Sequence, residues 1–123
     1  MVQEIVFDCE MAAALARFWA AALDGYQIRP YDAAEVQRLA ALVFTPETDP
    51  TVMVDGPGAT LCFQQVPELK RVKNRVHLDL TSDDRQKEVE RLELLGAVIQ
   101  ANFERHTTML DPEGNEFCVA DPR

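Results

Sequence analysis

The chain has 123 residues, 47% of them hydrophobic and 27% charged, with 12 Lys and Arg against 21 Asp and Glu for a formal charge of −9. Such a composition excludes disorder and collagen-like repeats, and the length suffices for one packed core without disulfide or metal staples. The negative field disfavours phosphate backbones and anionic lipid, so neither nucleic acid nor membrane is an expected partner; the one basic cluster, Lys70-Arg71-Lys73-Arg75, reads as a solvated connector.

Val2–Cys9 alternates as a strand, with Ile5, Phe7 and Cys9 on one face and Glu4, Val6 and Asp8 on the other. A helix is expected over Met11–Leu23, where Leu15, Phe18, Trp19 and Ala22 fall at i, i+3, i+4 and i+7 to form one apolar stripe, and Gly25 is placed to end it. This segment is not expected to be an exported leader, because Arg17 interrupts it and the ten residues before it carry Glu4, Asp8 and Glu10 with no Lys or Arg. Cys9, Cys62 and Cys118 form no recognisable disulfide or zinc framework, which suits reduced thiols in a cytoplasm.

Tyr26–Arg29 reads as a short strand, Asp32–Leu42 as a second helix capped by Asp32, and Thr51–Asp55 as a strand. Asp55-Gly56-Pro57-Gly58 then turns into a further strand over Ala59–Val66. After a polar connector at 67–73 the opening pattern returns. Arg75–Leu80 alternates, with Val76, Leu78 and Leu80 on one face and His77 and Asp79 on the other. Thr81–Asp84 offers an acidic N-cap, and a helix to Leu95 with Val89, Leu92 and Leu95 as its inner edge is stopped by Gly96. Strands over Val98–Glu104, His106–Leu110 and Glu116–Ala120 follow, the last two joined by the Asp111-Pro112-Glu113-Gly114-Asn115 turn.

The repeated order, strand, helix, then further strands, points to an α+β fold. Residues 1–123 form a single domain of two βαβββ modules, about 1–66 and 74–123. Their curved mixed sheets are expected to face each other around a cleft, with helices outside and Glu4, Asp8, His77, Asp79, Glu116 and Cys118 lining it.

This order, together with Arg75-Val76-His77-Leu78-Asp79-Leu80 and Asp111-Pro112-Glu113-Gly114-Asn115-Glu116-Phe117-Cys118-Val119, resembles the glyoxalase-like domains of the vicinal oxygen chelate superfamily, the glyoxalase/bleomycin-resistance/dioxygenase group. The opening Ile5-Val6-Phe7-Asp8-Cys9 and Ala16-Arg17-Phe18-Trp19 add to the likeness. The resemblance implies a metal held by residues on four strands, with positions left open for vicinal oxygens of a substrate. Carried onto this chain, those slots fall on Glu4, Leu61, His77 and Cys118, of which Leu61 has no donor atom. The implied metal set is therefore His77, Glu4 and Cys118 around one divalent ion, Zn, Fe, Ni or Mn.

With the usual last-strand carboxylate replaced by Cys118, Glu4 or Glu116 is left as the catalytic base, with a pKa raised by an apolar cleft. Leu61, Phe63 and Asp79 are the candidate substrate-binding residues, Phe63 being either a stacking platform or packing. Two functions follow from the resemblance: a metal-dependent lyase, isomerase or dioxygenase acting on a small oxygenated molecule, or a metal-free protein of the bleomycin-resistance type that sequesters a small molecule. Either is expected as a homodimer, from family habit and from sheet edges that need covering.

Overall fold

A computed structural model describes residues Met1–Arg123. The chain divides into two compact units, Met1–Leu69 and Lys70–Arg123, each built on one four-stranded mixed sheet. No helix is long and apolar enough to cross a membrane.

The first module runs β1 (Glu4–Cys9), α1 (Ala12–Ala22), β2 (Gln27–Ile28), α2 (Ala33–Ala41), β3 (Thr51–Asp55) and β4 (Thr60–Gln65), with sheet order β1-β4-β3-β2. β1 pairs parallel with β4, aligning Ile5 with Leu61 and Phe7 with Phe63, while antiparallel β3 sets Val54 beside Leu61 and Val52 beside Phe63. These six side chains share one face because strand side chains alternate. α1 covers that face and buries Leu15, Phe18, Trp19 and Ala22 as the periodicity requires. Phe7 stacks on Phe63 at 5.0 Å between ring centroids, and Phe18 meets Trp19 edge to face at 5.1 Å. Each large side chain buried here contributes about 1.5–3 kcal/mol, which holds α1 although no side chain caps its N-terminus. The helix ends earlier than Gly25: Leu23 is its C-cap in extended conformation, and Gly25 (φ +76°) serves the turn beyond it.

The second module runs β5 (Asp79–Thr81), α3 (Arg85–Leu95), β6 (Val98–Asn102), β7 (His106–Leu110) and β8 (Glu116–Ala120), in sheet order β5-β8-β7-β6. Asp84 caps α3 by accepting from the Lys87 amide at 3.1 Å, and Gly96 closes it in the left-handed region (φ +117°). Val89 and Leu92 are buried against Met109, Phe117 and Val119, whereas Leu95 is 37% exposed and leaves the inner edge expected of it. The strand expected over Arg75–Leu80 is also much shorter. Its ladder with β8 ends where the Cys118 amide donates to the Leu78 carbonyl. Before that point Asn74 takes over the bonds to β8, its amide donating to Glu116 Oε2 at 2.6 Å and its side chain to the Glu116 carbonyl, and Val76 stays 77% exposed.

The turn between β7 and β8 is built on buried Asp111, whose Oδ1 accepts from the amides of Glu113 and Asn115. Gly114 takes φ +83°, so the Asp111–Asn115 motif is a structural turn.

Candidate functional site

The strand register decides which residues leave the cores. In the second module β5 and β8 are parallel with Asp79 beside Cys118, and antiparallel β7 sets Thr108 beside Cys118, so all three side chains point away from α3. Phe117 and Val119, one position to either side, fill the core. His77 lies two residues before Asp79 and joins it: His77 Nε2 is 3.2 Å from Asp79 Oδ1, and one ligand atom from each of His77, Asp79 and Cys118 lies within 4.8 Å of the others. The Cys118 Sγ is 3.6 Å from the Thr108 hydroxyl.

Two donors on a tetrahedral Zn²⁺ sit about 3.5 Å apart, so three atoms within 4.8 Å of one another are close to the spacing that one ion requires. Imidazole, carboxylate and thiolate together suit Zn²⁺, Fe²⁺ or Ni²⁺ better than Mg²⁺ or Ca²⁺. The donor set thus fits a divalent transition metal with positions left open.

A depression of about 380 Å³ surrounds this group and is also lined by Arg105 and His106. His106, opposite Ala120 on β7, stacks on Phe103 at 4.6 Å between ring centroids. Arg105 donates to the Pro122 carbonyl and has no carboxylate partner, leaving its charge available to an anionic ligand. Neither residue was among the expected site residues. The signal for His106 is its parity: it is an even number of residues from Thr108 on the same strand, and therefore shares the face that carries Cys118.

The other expected site residues have their own surroundings. Glu116 is held by Lys70 Nζ at 2.8 Å and by the Asn74 amide, and its side chain is only 12% exposed. Burial pushes its pKa up, but the Lys70 and Asn74 hydrogen bonds outweigh burial and the carboxyl settles below its ordinary value. The raised pKa expected for a base is therefore reversed at Glu116. Leu61 and Phe63 belong to the core beneath α1, Phe63 fully buried on Phe7, so the assignment of both to a ligand-facing surface is corrected.

Glu4 is in the first module, on the face of β1 turned away from α1, and its neighbour there is Cys62. Burial, then the Glu4 charge and hydrogen bond, push the Cys62 thiol up and keep it protonated. The register makes the two modules comparable, with Val6 beside Cys62 in one and Asp79 beside Cys118 in the other. Glu4 thus occupies the position of His77, and Cys62 that of Cys118. The strand-closing slot assigned to Leu61 falls on Cys62 instead. The repeated strings Leu61-Cys62-Phe63 and Phe117-Cys118-Val119 carry that correspondence in the sequence itself.

A family model described as a glyoxalase-like domain matches residues 4–120. Among solved structures, the fosfomycin resistance protein FosX from Mesorhizobium loti is 13% identical at a TM-score of 0.68, covering 98% of this chain and 90% of that one. A glyoxalase/bleomycin resistance protein/dioxygenase family enzyme from Burkholderia phytofirmans PsJN is 14% identical at a TM-score of 0.65, covering 97% and 96%. The oxidase ChaP-H2 is 16% identical at a TM-score of 0.63, covering 100% and 94%. No curated protein matches the chain in sequence.

Proposed function

Because the chain belongs to the glyoxalase-like family of the vicinal oxygen chelate superfamily, we propose that it is a metal-dependent enzyme, a lyase, isomerase or dioxygenase, acting on a small oxygen-rich anion. The observation that carries this reading is the compact donor group of His77, Asp79 and Cys118 on one face of the second module. The structural neighbours, which include fosfomycin resistance proteins and an oxidase, are in keeping with it.

When bound there, a divalent ion supplies Lewis-acid polarisation of substrate oxygens. The chain's own residues do the rest. His77, Asp79 and Cys118 would hold the ion, and the Thr108 hydroxyl lies 3.6 Å from the Cys118 sulfur, where it would orient that donor. Arg105 attracts and positions an anionic group at the rim of the depression. His106, an imidazole lining the same depression, is placed to carry a proton to or from a bound molecule. Glu116 takes no part in proton transfer, since Lys70 and Asn74 hold it ionised and occupy its oxygens.

A thermal-shift titration of chelator-stripped protein with Zn²⁺, Fe²⁺, Ni²⁺ and Mn²⁺ tests this reading. At one hundred times the dissociation constant, binding adds about 2.7 kcal/mol, a rise of several degrees for a domain of this size. The rise is expected in wild type and absent in His77→Ala. No rise with any of the four ions contradicts the reading and favours the second one, a metal-free sequestering protein. One observation already leans toward that alternative: His77 Nε2 and Asp79 Oδ1, on largely exposed side chains, already contact each other at 3.2 Å.

The proposal extends to a homodimer, since the edge strands β1, β2, β5 and β6 each pair on one side alone within their sheets. Light scattering should give twice the monomer mass, and a monomer mass at micromolar concentration would refute it. A reducing cytoplasm suits the three free cysteines.

A further inference from the structure

The first module contains a cavity that the metal reading does not use. Its volume is about 490 Å³, within the range of small-molecule sites, and every residue lining it lies between Arg29 and Met53. The apolar walls are Pro30, Leu39, Leu42, Phe44, Pro50 and Met53. One wall is α2, in which Leu39 is the only buried residue, so that side is held by a single anchor.

The polar content of the cavity is unevenly compensated. At the rim, Arg29 forms a two-pronged pair with Asp55 (2.8 and 2.9 Å), and Arg38 pairs with Glu35 at 2.9 Å. Both guanidinium charges are therefore already matched. The carboxylate of Asp49, only 7% exposed, lines the same cavity, and although the Arg38 charge reaches it, the Arg38 guanidinium is hydrogen-bonded to Glu35 and not to Asp49. Its hydrogen-bond donors are the Tyr31 hydroxyl on Oδ2 at 2.8 Å and the Thr51 amide on Oδ1 at 3.0 Å, and both are neutral. A carboxylate has about four lone-pair sites, so two remain for a ligand. A buried carboxylate hydrogen-bonded only by neutral donors is best completed by a ligand that brings N–H donors, and such bonds are strongest from a cation.

We propose that this cavity binds a small organic cation, a primary ammonium on a compact aromatic or aliphatic body, with the ammonium on Asp49 and the body against Leu39, Leu42, Phe44 and Met53. The Tyr31 ring also lines the space, so an aromatic group is within the same site as the cation. The site uses no residue of the second module and does not depend on a metal, so it stands or falls separately from the proposed enzymatic activity.

The test is calorimetric titration of chelator-treated protein with three probes of one shape: phenethylammonium, 2-phenylethanol and phenylacetate. Phenethylammonium should bind at least tenfold more tightly than the alcohol and the carboxylate, and should shift the Met53 methyl resonance. Asp49→Asn should reduce its affinity at least tenfold, while His77→Ala leaves it unchanged. Because Asp49 is buried and that variant is at risk of misfolding, Leu42→Lys provides a second arm. Leu42 is 57% exposed, so the fold tolerates the change, and a lysine at the rim should weaken ammonium binding several-fold. Equal affinity for the ammonium and the alcohol, loss of binding in His77→Ala, or binding unchanged in folded Asp49→Asn or in Leu42→Lys would each overturn the proposal.

Discussion

The two modules share a strand register and differ in what they place on it. Each puts a cysteine on its last strand with an apolar residue to either side, Leu61-Cys62-Phe63 in one and Phe117-Cys118-Val119 in the other. In the first module the cysteine is buried and kept neutral beside Glu4, and the neighbouring position on the parallel strand is Val6. In the second it is half-buried, and that position is Asp79, with His77 close by. One backbone solution therefore carries a reluctant thiol in one half and a three-donor group in the other. Residue choice on the face away from the helix, and not the fold, sets the chemistry.

The cores differ in the same way. α1 has no side-chain cap and is held by Leu15, Phe18 and Trp19, whereas α3 is mostly polar, buries Val89 and Leu92, and relies on Asp84 and Gly96 at its ends. Removing a large side chain from the first core should therefore have the largest effect on stability. Phe63→Ala is expected to cost about 3–5 kcal/mol in chemical denaturation, through lost burial and the cavity left against Phe7. A cost below about 1 kcal/mol would show that Phe63 is not the core residue described.

The next effect in size separates the cysteines. Cys118→Ser should lower Zn²⁺ affinity at least tenfold, while Cys62→Ser, in a module with no three-donor group, should leave the second-module site intact; competition with a chromophoric chelator reads both. Equal losses would break the contrast between the modules.

Glu116 gives a smaller, pH-dependent effect. Its carboxyl lies below the ordinary value in the fold, so its contribution is complete above the unfolded pKa and disappears as pH falls through the folded one. Glu116→Gln should lose roughly 1.5–3 kcal/mol at neutral pH, the size of a charge-assisted hydrogen bond, and the gap to wild type should close in acid. A gap that widens in acid would contradict the Lys70 and Asn74 pairing. Smallest is the cap: Asp84→Ala should cost about 1 kcal/mol, while Met11→Ala at the corresponding position of α1 should cost far less, both read as shifts in denaturation midpoint.

Much of the fold was legible because it rests on period. The alternation of Ile5, Phe7 and Cys9, the stripe through Leu15, Phe18 and Trp19, the Asp32 and Asp84 caps and the Asp111–Asn115 turn all act locally, and each appears where the pattern places it. What failed was long-range. That Leu61 and Phe63 face α1 depends on their alignment with Ile5 and Phe7 across a parallel pair more than fifty residues apart, which alternation within β4 alone does not fix. Nor does the local pattern of Arg75–Leu80 reveal that Asn74 and Lys70 converge on Glu116 and end the ladder. His77, Asp79 and Cys118 were readable as sharing one surface, but that Asp79 stands directly beside Cys118, with His106 on the next strand, follows from the β5-β8-β7 register.

The most direct test of the central claim is the optical spectrum of the chelator-stripped protein with Co²⁺, because a coordinated thiolate adds a sulfur-to-cobalt charge-transfer band. The expected result is that band in wild type and Cys62→Ser, its loss in Cys118→Ser, and weakened Co²⁺ binding in His77→Ala and Asp79→Asn. No band in wild type, or one that survives Cys118→Ser, would contradict a metal held by His77, Asp79 and Cys118.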